Sequence, residues 1–346
     1  MYTMKTKKTH DVIVIGAGIS GITAANQLKK NGMSVIIIDK GKGIGGRLAT
    51  KRIQYENDKI VFDYGAKFIE GDSPEFQEVL SNLLENNIIK EWQLVNDDQA
   101  KSNTKSRKKY IGIKSIREIA LFLSKGLEIL NDKKAVKVSW TNGIWETTTG
   151  SGETYNSKNL LLTLPVPQAM DLLEDSKFLI PADKVVNLKK VAYNRCIVAM
   201  LTLGSSSLLK LDGGIQIKEE PISFLTDNNL KGINRSKIAV TVEMTNSFSH
   251  RNWEENDDEI AKKIIELSSP WIGSKVIDYK IHKWKYSQPA ISYDKRFEII
   301  DEQKTFYLAG DAFLGDNVES AFLSGLSAAL EIQTKFSEQQ IRVEQK

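Results

Sequence analysis

Three glycines spaced Gly16-x-Gly18-x-x-Gly21, with Asp39 eighteen residues beyond the last, are the residues of this sequence best suited to chemistry. Gly16 allows a tight turn. Gly18 has no side chain, so a pyrophosphate can approach the backbone. Gly21 lets a helix pack closely on a strand. Phosphates beside Ile19 and Ser20 would meet the N–H groups and positive end of that helix. Asp39, with Lys40 next to it, stands where a carboxylate accepts hydrogen bonds from a ribose diol. A second cluster, Gly43-Ile44-Gly45-Gly46-Arg47-Leu48, offers more backbone donors and a cation for the same pyrophosphate.

Elements in the required order surround these residues. Residues 11–15 (DVIVI) are a β-branched apolar run and predict a buried parallel strand. The segment ITAANQLKK has helical apolar spacing and stops at Asn31-Gly32. Residues 33–38 predict a second strand, closed by Asp39, which completes a βαβ unit. Further on, Asp72-Ser73-Pro74-Glu75 predicts a helix start, and residues 114–124 predict another helix. Residues 96–109, with Ala100 as their one apolar residue, predict a solvated loop. Residues 135–149 predict a hairpin turning at Asn142-Gly143, and 159–164 a buried strand halted by Pro165. Strands at 195–203 and 237–244 mix with helices in the middle of the chain. A strand at 304–309 runs into Gly310-Asp311, and a helix over 318–336 follows, with Asp316 and Glu319 spaced as a capping box.

Composition narrows the class. The 346 residues suit about two domains. At 41% hydrophobic and 27% charged, the chain is neither disordered nor fibrous. A net charge of +4 over this length implies no nucleic-acid partner. The one cysteine, Cys196, cannot form an internal disulfide, a redox pair or a zinc cluster, and its apolar surroundings in sequence suggest buried core. The three histidines lack metal-ligand spacing, so no metal is expected. No apolar run approaches the roughly 18 residues that span a bilayer. The basic start, MYTMKTKKTH, precedes an interrupted apolar stretch without a cleavage site, so a cytoplasmic protein without membrane partners is expected.

The sequence resembles the renalase-like group of the flavin amine-oxidase superfamily. The segments that carry the likeness are DVIVIGAGISGITAANQL, GIGGRLATKR, FDYGAKFI, LLLTLPVPQAMDLL, HKWKYSQPA and YLAGDAFLGDNVESAFLSGLSAA, which run from residue 11 to 329. The resemblance implies FAD, bound non-covalently. Gly16, Gly18, Gly21, Asp39, Gly46 and Arg47 would hold its ADP half, and Val136 would meet the adenine through its backbone. Gly65, Ala66 and the stretch Thr163 to Pro165 would lie along the flavin. Gly310 and Asp311 would bind the ribityl chain, with Val318, Glu319 and Ala321 near the pyrimidine edge. Trp284 and Tyr286 would line the substrate face, or pack as ordinary core. Lys67 stands where the group commonly has glutamine. It would either act near flavin N5 or point into solvent.

The implied fold is α/β. A Rossmann-like FAD-binding domain with a mainly parallel sheet would join a mixed α+β substrate domain, as in amine-oxidase and p-hydroxybenzoate-hydroxylase-like flavoproteins. The FAD domain would comprise 1–69, 110–165 and 290–346. The substrate domain would comprise 70–109 and 166–289, with the active site at the junction. The implied function is an oxidase that takes hydride from a small reduced substrate, a 2- or 6-dihydro-NAD(P) isomer, with molecular oxygen as acceptor and hydrogen peroxide as product. An amine oxidase, a desaturase-like flavoenzyme and a non-catalytic flavin-binding sensor are the alternatives. Nothing in the residues identifies a protein partner.

Overall fold

The computed structural model describes residues 8–94, 107–210, 212–218, 220–235 and 237–344. The chain is an α/β protein of two compact units, the first formed by 1–46, 120–192 and 289–346 and the second by 47–119 and 193–288. No helix among the described residues is long and apolar enough to cross a membrane.

The first unit is built on a mainly parallel sheet. Its strand order is Glu298–Ile299, Phe306–Leu308, Thr154–Leu162, Thr9–Ile15, Val35–Ile38, Ile129–Leu130. At its centre Ile13 pairs in parallel with Leu160 on one side and Ile36 on the other. These strands are apolar on both faces because helices cover them. The helix Ile19–Lys30 follows the first strand, and the closing helix Val318–Glu344 packs against it. A Cβ on Gly325 of the closing helix would stand 2.1 Å from the Ser20 carbonyl oxygen, so this close approach requires glycine. Val12, Val14, Ala24, Leu28, Leu161, Ala328 and Ile332 share one buried core here. The hairpin Ala135–Thr141 and Ile144–Thr149 turns at Asn142 and Gly143, whose φ of 51° and 80° are both left-handed, as a two-residue type I′ turn needs.

The second unit is a five-stranded sheet in the order Gly214–Gln216, Ile222–Asp227, Ile238–Met244, Ala192–Leu203, Val276–Ile291. Side chains alternate across it. Ala199, Leu201, Val240 and Val242 face the helix Asp257–Ile272, through Ile260 and Ile264. Met200 and Ala239, on the other face, pack on Ile60 and Phe62 of the ribbon Thr50–Tyr55 and Asp58–Asp63. A second ribbon, Ile89–Trp92 with Lys109–Gly112, places Trp92 and Ile111 against Phe224.

This packing sets boundaries different from those the sequence suggested. Residues 47–69 and 110–119 belong to the second unit, because the Ile60 and Phe62 ribbon shares its core. Residues 166–192 belong to the first. There Ser176 Oγ accepts from the Val138 N–H at 2.9 Å, and Phe178 meets Trp145 with ring centroids 5.4 Å apart. Most of the expected 96–109 loop lies outside the described residues, and Lys109 opens a strand. The closing helix is capped by Asn317 rather than Asp316. Its Oδ1 accepts from the Ser320 N–H at 2.8 Å, which an N-cap one residue earlier would not reach at the third helical position.

Candidate functional site

In the first unit the chain leaves the first strand through Gly16 at φ 116°. A Cβ there would stand 2.6 Å from the Thr163 hydroxyl, which donates to the Ile15 and Gly16 carbonyls. A Cβ on Gly21 would fall 2.0 Å from the Gly16 carbonyl oxygen. The polypeptide itself therefore demands both glycines. Gly18 differs. Its φ of −77° and ψ of 178° suit any residue, and no atom lies within 4 Å of a Cβ built there. The space left open adjoins the N-terminus of the Ile19–Lys30 helix, which has no side-chain cap. Ser20 Oγ, buried in the first turn, has no hydrogen-bond partner among the described residues. An uncapped helix start, an orphaned hydroxyl and a cleared approach fit the pyrophosphate of FAD.

Asp39 ties the two glycine clusters to this turn. The Ala17 N–H donates to its Oδ2 and the Gly41 N–H to its Oδ1, both at 2.6 Å. The Gly45 N–H donates to the Ala17 carbonyl at 2.8 Å, and Gly46 turns at φ 55° with its α-carbon side against Gly18. Lys40 is exposed and donates to Gln168 Oε1 at 2.9 Å. Val136 sits where the hairpin register shifts between Ala135 and Lys137, so a bulge leaves its main chain out of the ladder. Thr163 supports Gly16 with its hydroxyl, and Pro165 caps the helix Val166–Asp175. Gly310, at φ 151°, donates to Ser324 Oγ at 2.9 Å, and Asp311 after it is buried. Val318 opens the closing helix, with Glu319 and Ala321 buried in its first turns.

The second unit holds the remaining expected residues. Arg47 Nη1 donates to the Tyr286 and Ser287 carbonyls at 3.3 and 3.1 Å, and its guanidinium lies 5.8 Å from the Tyr193 ring centroid. Leu48 is buried. Gly65 is required by the backbone, since a Cβ would meet the Arg47 carbonyl oxygen at 2.0 Å. The Ala66 N–H donates to that same carbonyl at 2.8 Å. Trp284 and Tyr286 share a face of the Val276–Ile291 strand with His282. All three are half-buried. Trp284 stacks on Tyr64 at 5.4 Å and donates from Nε1 to its carbonyl at 2.9 Å, with His282 edge-on to both rings. Tyr286 meets Tyr193 edge-on at 5.5 Å. The sequence pattern HKWKY already held the alternation that gathers these rings; Tyr64 and Tyr193 come from distant segments and gave no such sign.

Lys67 does not point free into solvent. Its ammonium is 2.7 Å from Glu243 Oε2 and 5.3 Å from the Phe224 ring. Burial works against its charge, but attraction to Glu243 and their hydrogen bond outweigh it, so its pKa is raised. Glu243 had a weak sequence signal: with Thr241 it interrupts an apolar strand on alternate positions, so both face the ribbon side. Cys196 lies on that side too and is half-buried rather than core, because alternation turns Ile197 and Ala199 to the helix instead. Burial, then the nearby Glu243 carboxylate, pushes its thiol up to about 12. At mildly alkaline pH a disulfide reagent is therefore expected to label Cys196 in folded protein orders of magnitude more slowly than in urea-unfolded protein. Equal labelling rates would contradict this.

A family model described as flavin containing amine oxidoreductase matches residues 97–333, and one described as NAD(P)-binding Rossmann-like domain matches 14–83. Renalase of Mus musculus is 26% identical over 339 residues, covering 91% of this chain and 96% of that protein. A flavin-containing amine oxidase of Oncorhynchus mykiss is 42% identical over 66 residues, 19% of this chain and 12% of that protein. Among solved structures, cyclohexylamine oxidase from Brevibacterium oxydans IH-35A has the same fold, with a TM-score of 0.73 at 12% identity over 95% of this chain and all (100%) of that one. Putrescine oxidase bound to putrescine does too, with a TM-score of 0.67 at 13% identity over 94% of this chain and 99% of that one. The chain therefore belongs to the flavin containing amine oxidoreductase family and is an FAD-dependent oxidoreductase.

Proposed function

We propose that this chain is a renalase-like oxidase. It takes hydride from a small reduced substrate, a 2- or 6-dihydro-NAD(P) isomer, and passes the electrons to molecular oxygen, forming hydrogen peroxide. The observation that carries the reading is the reach of the likeness. Mouse renalase matches over 91% of the chain, so the likeness takes in the substrate-face residues Trp284 and Tyr286, whereas the Oncorhynchus mykiss amine oxidase matches over only 19%.

FAD supplies the hydride acceptor when bound. The chain's own residues do the rest. The Ile19–Lys30 helix start and the Ser20 hydroxyl hold the pyrophosphate, with Gly18 clearing its approach. Asp39 and the bulged Val136 serve the ADP end, and Gly310, Asp311 and Glu319 the ribityl and pyrimidine end. The half-buried rings of Trp284 and Tyr286 orient the flat donor and exclude water from it. Lys67, kept protonated by Glu243, is a fixed positive charge rather than a proton shuttle. Cys196 is held protonated by burial and the nearby Glu243 carboxylate, and FAD is bound non-covalently, as the resemblance implies. The protein works in the cytoplasm, without nucleic acid or membrane.

The aromatic face also suits a cation, which makes a primary amine the second donor class. The test is to load the protein with FAD and add preparations of the 2- and 6-dihydro isomers, in air and without air. Bleaching of the visible flavin absorbance, with peroxide formed in air, is the expected result. Bleaching by cyclohexylamine or putrescine alone would move the assignment to an amine oxidase. Bound flavin that no donor bleaches would favour a sensor.

A further inference from the structure

Six main-chain groups of the segment Asp63 to Lys67 are held in place. The Tyr64 N–H donates to the Ala49 carbonyl at 3.1 Å and the Ala66 N–H to the Arg47 carbonyl at 2.8 Å. The Asp63 N–H donates to Asn228 Oδ1 at 3.2 Å, and its carbonyl accepts from Thr241 Oγ1 at 2.9 Å. The Tyr64 carbonyl accepts from Trp284 Nε1 at 2.9 Å. Five of the six partners are neutral. The sixth, which serves the Lys67 carbonyl at 3.1 Å, is the ammonium of Lys231.

An ammonium is a costly way to satisfy one carbonyl. The Lys231 side chain has no exposed surface, and burying an ion is unfavourable even when it is paired. Asn, Gln or Ser would donate the same bond without that cost. Here the charge is balanced by Asp63 Oδ2 at 3.6 Å and by the Trp92 ring at 5.1 Å. Lys231 and Asp63 thus clamp the segment at both ends, one on the Lys67 carbonyl and the other at the residue that starts it.

We propose that Lys231 is a positioning residue for the redox site. Through the Lys67 carbonyl it fixes the main chain from which the Lys67 side chain reaches Glu243, and so fixes the positive charge presented to the cofactor. The inference rests on reading the fixed charge of Lys67 as one that acts near flavin N5, the first of the two roles the resemblance implies for it.

The FAD-loaded protein provides the test, through the reduction potential of its bound flavin measured by equilibration with a reference dye. Lys67→Met checks the underlying reading: it is expected to shift the oxidised-to-reduced ratio at least tenfold, about 30 mV downward for a two-electron couple. Lys231→Met is expected to shift it in the same direction, by no more than Lys67→Met does. The double variant Asp63→Asn/Lys231→Met removes both charges of the buried pair and is expected to match the single variant. It also carries the test if Lys231→Met alone fails to fold. If Lys67→Met shifts the potential and neither Lys231 variant does, the proposal is overturned while the reading stands. If the double variant returns to the wild-type value, Lys231 acts through its charge and the positioning role is overturned. If Lys67→Met leaves the potential unchanged, the reading fails and the proposal with it.

Discussion

Gly18→Ala is expected to give a folded protein that binds FAD much more weakly. The backbone at this residue suits alanine, and an added methyl meets no protein atom within 4 Å. Its stability should fall by no more than about 1 kcal/mol, the scale of an altered N-cap. The methyl would occupy the approach to the helix start. Losing one charge-assisted bond from an amide to phosphate costs about 1.5–3 kcal/mol, which is roughly 10- to 100-fold in affinity. Gly21→Ala should behave in the opposite way. Its methyl would lie 2.0 Å from the Gly16 carbonyl oxygen and 2.8 Å from Thr163 Oγ1, both parts of the strand–turn–helix junction. Overpacking of this kind costs about 1–3 kcal/mol or more. Thermal melting of the cofactor-free proteins and titration with FAD separate the two effects. A Gly18→Ala protein that binds FAD as the wild type does would mean that the open space serves something other than the cofactor.

The contrast between these glycines also shows what could be read from the sequence. A tight turn and a close helix approach are local events, so Gly16, Gly18, Gly21 and the flanking strands and helix stood out in about 30 consecutive residues. The Asn142-Gly143 turn was legible for the same reason. The clamp around Lys67 was not. Asp63 and Lys67 are far in sequence from Lys231, Thr241 and Glu243 and meet them because the ribbon packs on one face of the five-stranded sheet, and that packing is not written in any one segment. The edges of the two compact units were hidden on similar grounds: Ile60 and Phe62 look like any strand until Met200 and Ala239 cover them. Arg47 marks a further limit. Its type and neighbours suggest a phosphate ligand, and its Nη1 donates to the carbonyls of Tyr286 and Ser287, which a guanidinium with five donors can serve as well as an anion.

Asp63→Ala is expected to be among the most destabilising single changes in the second unit. The carboxylate accepts from Thr50 Oγ1 at 2.6 Å and from the Ile116 N–H at 3.0 and 3.1 Å, so its loss strands a buried amide. It also faces Lys231 at 3.6 Å, where neither side chain has more than 1% exposure and water cannot replace the missing partner. Breaking a buried pair from one side costs about 3–5 kcal/mol, a large part of the roughly 5–15 kcal/mol that holds a typical protein folded. The pH dependence follows from the lysine. Burial already lowers the Lys231 pKa below its ordinary 10.5, with Asp63 opposing that shift. Without Asp63 the folded state would hold the lysine still lower, so the fold gives up a proton that the unfolded chain keeps. The penalty is then fully present below the folded pKa and shrinks as pH rises toward 10.5. Lys231→Met added to Asp63→Ala removes the stranded charge, so the double variant should be more stable than Asp63→Ala alone. Urea unfolding of the three proteins near neutral and at alkaline pH tests the ordering. A loss below about 1 kcal/mol for Asp63→Ala, the scale of an exposed pair, would show that water reaches Lys231 and that the buried clamp does not bear on stability.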